Sequence, residues 1–122
     1  SGCLAAAHFF VDVLTMLPGS LKFMHGEEVA FGTLCHMMLE NAPTEELEEV
    51  LDFCLDVGLP VCLADIGVES ISPEELRQVA EKASIPEEST HAMPFPVNAQ
   101  TVAAAIVAAD KLGSTYKQER AK

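Results

Sequence analysis

Basic residues are scarce in this 122-residue chain: seven Lys and Arg stand against 19 Asp and Glu, a formal net charge of −12. Such a surface repels phosphate backbones and anionic headgroups, which argues against nucleic acid or a membrane as partner. None of the seven glycines falls into a GxGxxG or P-loop pattern, so no nucleotide cradle is encoded here. A GxSxG elbow is absent, and no cysteine has a histidine at a spacing that suggests nucleophilic catalysis. No two cysteines are spaced CxxC; Cys3, Cys35, Cys54 and Cys62 sit among apolar residues and read as reduced core thiols of a cytoplasmic protein. Apolar runs fall short of a membrane span, since residues 3–17 end at Pro18-Gly19-Ser20 and a span takes about 20 residues. An initiator methionine is also missing. The chain opens at Ser1 inside an apparent helix and is expected to be the tail of a longer protein.

What is present is apolar and helical. With 49% hydrophobic residues, 1–122 can bury a real core as one domain, and no linker divides it. Leu4, Ala7, His8, Val11, Leu14 and Thr15 recur at helical spacing, which puts His8 on the apolar face of a first helix. A second helix is predicted over about 26–40, with Glu27 and Glu28 in the first turn where the helix dipole favours negative charge. The third is the clearest. Leu47, Val50, Leu51, Cys54 and Leu55 form its apolar stripe and Glu45, Glu46, Glu48, Glu49, Asp52 and Asp56 its solvated side, between Pro43-Thr44 and Gly58. Ser72-Pro73-Glu74-Glu75 predicts a capping box for a short helix with Leu76, Val79, Ala80 and Ala83 buried. A proline-rich loop over 85–97 precedes a last helix capped by Asn98, with Val102, Ala105, Ile106, Ala109 and Tyr116 on one face. Residues 59–68 are β-branched enough for a short strand, though no partner strand is evident. The fold class is all-α, a helical bundle.

Four histidines are the candidates for chemistry. His8 and His25 lie 17 positions apart on consecutive helices, and the turn at Pro18-Gly19-Ser20 brings the second helix back along the first. Two such imidazoles can share a metal ion, but a catalytic zinc usually has three protein ligands, and no third is obvious. The alternative is a core histidine bonded to a carbonyl for His8 and a helix cap for His25. His36 falls on nearly the same face as His25 but ~16 Å further along the axis, too far to share one ion. His91 sits in the proline-rich loop, where its expected work is to hold the loop by hydrogen bonds.

Resemblance adds what spacing leaves open. Ser1-Gly2-Cys3-Leu4-Ala5-Ala6-Ala7-His8, His25-Gly26-Glu27-Glu28-Val29-Ala30-Phe31-Gly32-Thr33-Leu34 and Leu39-Glu40-Asn41-Ala42-Pro43 occur in that order. Val57-Gly58-Leu59-Pro60, Thr90-His91 with Met93-Pro94, and Ala108-Ala109-Asp110 follow. This series resembles the C-terminal domain of the glycerol dehydrogenase family, in the iron-containing, metal-dependent alcohol dehydrogenase superfamily. The resemblance implies the helical, metal-binding half of a two-domain fold shared with dehydroquinate synthase. It also implies a metal, zinc or iron, on two histidines that carry over onto His8 and His25. The aspartate that completes the ligand set and the domain that binds NAD would lie upstream of Ser1. One departure stands out: the family commonly places His-Asn-Gly from the third position after the first histidine ligand, near the substrate, where this chain has Val11-Asp12-Val13.

The activity so implied is NAD-dependent oxidation of glycerol or a related vicinal diol to a hydroxyketone such as dihydroxyacetone, in a homo-oligomeric parent enzyme; the chain by itself is expected to be inactive. Two other readings stay open. A dehydroquinate synthase-like enzyme also carries a His-Gly-Glu-x-Val-Ala run, but typically has Gly-His pairs where this chain has Leu4-Ala5-Ala6-Ala7. A non-catalytic helical interaction domain, or pseudoenzyme remnant, fits the change at Val11.

Overall fold

The computed structural model describes residues 2–20, 25–83 and 97–122, the side chains of residues 2–8, 25, 26 and 28 excepted. All regular structure among them is helical: α1 (Gly2–Thr15), α2 (His25–Leu39), α3 (Thr44–Val57), α4 (Pro73–Lys82) and α5 (Ala99–Arg120). The proline-rich stretch before Val97, with His91, lies outside the described residues. No helix among the described residues is long and apolar enough to cross a membrane.

The centre of the bundle is the pair α2 and α5. α1 lies on α2, α4 lies on α5, and α3 touches both central helices. Phe9, Phe10, Val13 and Leu14 of α1 share one core with Phe31, Leu34 and Cys35 of α2 and with Val102, Ile106 and Ala109 of α5. Each fully buried large side chain of this kind contributes about 1.5–3 kcal/mol relative to exposure, so the core and not local propensity holds α1 in place.

Helix ends follow local chemistry. Ser72 Oγ accepts the Glu75 N–H at 3.1 Å while Glu75 Oε1 accepts the Ser72 N–H at 3.2 Å, and Pro73 occupies the first helical position, so the predicted capping box of α4 is present. Leu76 and Ala80 are its buried residues. Asn98 caps α5 in the same reciprocal way with Thr101. The cap position of α3 is Pro43, which offers no side-chain acceptor, and the helix stops at Gly58, whose φ of 79° is open to glycine at little cost.

The packing refines one expectation and corrects another. The acidic side of α3 is exposed as expected, but it also reaches α5: Asp52 accepts the Tyr116 hydroxyl at 2.9 Å, and Arg120 pairs with both Asp52 and Asp56. Residues 59–68 form no strand. They wrap against α5, with Val61, Leu63, Ile66 and Val68 buried and a 3-10 turn at Ala64–Ile66. Without a partner strand the backbone turns to side chains instead. Val61 N–H donates to Asp65 Oδ2 at 3.1 Å, and Leu63 N–H donates to Asp110 Oδ1 of α5 at 2.8 Å.

Candidate metal centre

His8 lies on α1 and His25 is the first residue of α2. Because α1 packs on α2, the structure brings together the two elements that carry these histidines; their imidazoles are among the side chains not described. Among the described residues no three His, Cys, Asp or Glu side chains are grouped to hold a metal ion. Two imidazole nitrogens would suit zinc or iron by their donor chemistry, and an ion held by them would need a further ligand.

The turn of α1 that follows His8 is mixed. Val11 is buried, with 5% of its surface exposed, and Val13 is fully enclosed in the core. Asp12 points outward. Thr15 donates its hydroxyl to the backbone carbonyl of Asp12 at 2.9 Å, so the Asp12 carboxylate is not engaged by it.

His36 takes no part. α2 runs unbroken from His25 to Leu39, so eleven residues of rise separate the two histidines by ~16 Å. His36 is 7% exposed in the last turn; neither ring nitrogen has a hydrogen-bond partner, and Nε2 stands 3.4 Å from Glu40 Oε2.

Beside the first turn of α2, Glu27 lines a hollow of about 290 Å³ with Leu55, Gly58, Leu59, Pro60, Asp65 and Lys117. Burial works to raise the Asp65 carboxyl, but hydrogen bonds from Lys117 and from Val61 N–H outweigh it and hold the group below its ordinary value. Asp65 and Lys117 had no motif to single them out in the sequence, and Asp110 entered only through Ala108-Ala109-Asp110, which carried no role for its carboxylate. Among the described residues, burial disfavours the thiolate form of the cysteines. Complete burial, with the Asp110 charge adding to it, pushes Cys35 well above its ordinary value, and burial likewise raises Cys54 and Cys62.

The chain matches no family model. It is 45% identical to glycerol dehydrogenase from Thermotoga maritima over 117 residues, which is 96% of this chain and 32% of that enzyme. Among solved structures, glycerol dehydrogenase from Schizosaccharomyces pombe superimposes with a TM-score of 0.82 at 30% identity over 95% of this chain and 30% of its own. A probable glycerol dehydrogenase from Sinorhizobium meliloti 1021 does so with a TM-score of 0.78 at 42% identity, over 89% of this chain and 31% of its own. The chain is thus homologous to glycerol dehydrogenases nearly end to end, and spans about a third of the length of the curated relatives it matches.

Proposed function

We propose that this chain is the helical, metal-binding part of an NAD-dependent polyol dehydrogenase that oxidises glycerol or a related vicinal diol to a hydroxyketone. The observation that carries the reading is 45% identity to a glycerol dehydrogenase over 96% of the chain. The packing of α1 on α2 supports it, because those helices bear His8 and His25.

In this reading His8 and His25 hold the ion, each as a neutral imidazole, because a ring nitrogen that binds a metal must be unprotonated. The third ligand and the nucleotide cradle are supplied by residues outside this sequence. A metal held by His8 and His25 would supply Lewis acidity toward a substrate hydroxyl, and bound NAD would supply a hydride acceptor. The helices do the positioning: α1 is fixed by the Phe9, Phe10, Val13 and Leu14 core, and α2 by its burial against α5, so the two ligands are presented by rigid elements. The protein acts in the cytoplasm, consistent with its buried free thiols, and works as a homo-oligomer.

The test uses the full-length protein loaded with zinc. It should reduce NAD with glycerol or a small vicinal diol. His8→Ala and His25→Ala should each lower bound zinc by tenfold or more and abolish turnover while leaving the helical circular dichroism intact. Failure to reduce NAD with any small polyol would sink the reading, and turnover of a phosphorylated heptulosonate would favour a dehydroquinate synthase instead.

A further inference from the structure

Among the described residues, the buried side-chain nitrogens and oxygens that lack a hydrogen-bond partner are the Nδ1 and Nε2 of one residue, His36. A buried polar atom with no partner is a cost to the fold, and native proteins meet it with a protein group, a water or an ion. The nearest candidate is Glu40. Its N–H donates to the His36 carbonyl at 3.0 Å, so the two residues belong to one helical turn and their side chains share a face. Nε2 stands 3.4 Å from Glu40 Oε2, beyond the ordinary range of a hydrogen bond. That length fits another arrangement. Two ligands each about 2.05 Å from a tetrahedral ion lie roughly 3.3 Å apart. The place also suits a cation. The end of α2 carries the negative pole of the helix, and His36 is the basic residue of its last turn, with no lysine or arginine there to neutralise it. The Glu40 side chain is 38% exposed against 9% for His36, so an ion can arrive from solvent at the carboxylate and meet a nitrogen already held in place.

We propose that His36 Nε2 and Glu40 Oε2 together bind a divalent transition-metal ion, zinc or a similar ion such as cobalt or nickel, with water completing its shell. One imidazole nitrogen beside one carboxylate oxygen is a zinc-type donor pair, whereas calcium and magnesium are held by oxygen alone. The ion gives the buried nitrogen a partner and ties the last turn of α2 across its face, so its work is to stabilise the end of that helix. His25 is ~16 Å away along α2, so the two histidines hold separate ions. With two protein ligands this site is the weaker, filling on titration and emptying on dialysis.

Calorimetric titration of the chelator-stripped full-length protein with zinc tests this. The parent should show a weaker class of site, one per chain, that His36→Gln removes and Glu40→Gln weakens about tenfold or more. Glu40 is at the surface, so Glu40→Gln keeps the question open to measurement even where His36→Gln fails to fold. Excess zinc should raise the melting temperature of the parent more than that of Glu40→Gln, and cobalt at the same site should give a visible absorption band that Glu40→Gln alters. His8→Ala and His25→Ala should leave this class of site untouched, so the fate of the polyol dehydrogenase reading is measured separately. Zinc stoichiometry, affinity and thermal shift that are all the same in Glu40→Gln as in the parent would overturn the proposal.

Discussion

Gly113 lies in the interior of α5, where glycine costs about 1 kcal/mol relative to alanine. Its reason is contact. A Cβ built there would stand 1.7 Å from the Val61 carbonyl oxygen and 2.7 Å from its carbon, both backbone atoms that cannot step aside. Gly113→Ala should therefore destabilise the protein by about 2 kcal/mol or more, the overpacking penalty exceeding the gain in helix propensity. Urea denaturation monitored by circular dichroism measures this, and a midpoint equal to or above the parent's would show that residues 59–68 can move off α5 freely. His36 is the converse case. It is a polar residue with no hydrogen bond at either ring nitrogen, held by its place in the helix and by the nearby Glu40 rather than by any chemistry of the candidate centre.

At the scale of elements, the ends of α4 and α5 were readable because a cap is a contact between residues three apart. Ser72 with Glu75 and Asn98 with Thr101 meet whatever the rest of the chain does. Ser72→Ala should cost about 1 kcal/mol, and the loss should show as earlier thermal melting without change in the folded spectrum. The apolar stripe of α3 was legible for a similar reason, since Leu47, Leu51 and Cys54 are buried as their period requires. The opposite face is exposed as expected, but the contacts of Asp52 and Asp56 were missed. Nothing within a few residues of them in sequence signals that Tyr116 and Arg120 lie alongside. Residues 59–68 were misread more fully, because β-branched composition measures fit to a half-buried surface and helix α5 supplies such a surface as well as a sheet does.

Across the whole molecule, α5 is the element to which the remainder is tied. Lys117 donates to Asp65 Oδ1 at 2.8 Å across 52 positions of sequence, and the same carboxylate receives Val61 N–H. The Asp65 carboxyl is held below its ordinary value of 3.8 in the folded state, so its contribution to stability is present above that pH and is lost as pH falls through the lower, folded value. The Lys117 ammonium is shifted upward from 10.5, so its share persists through neutral pH and fades only as the solution becomes strongly alkaline. Melting temperatures of the parent and of Asp65→Asn should accordingly differ at pH 7 and converge below about pH 3.8. A gap that stays constant into acid would mean that the carboxylate's charge contributes nothing there.

Composition, periodicity and capping determined by themselves that the chain is helical, roughly where four of its helices begin and end, and that His8 and His25 fall on consecutive helices with His36 out of reach. These are properties of near neighbours along the chain, set by helical rise and by short-range hydrogen bonds. Only the tertiary structure decided that α2 and α5 form the centre, that residues 59–68 lie as a non-strand segment on α5, and that Asp52, Asp56, Asp65 and Asp110 are anchored. Those outcomes depend on which surfaces meet once the core closes, and a carboxylate's partner some 50 to 70 residues away leaves no trace in its own neighbourhood.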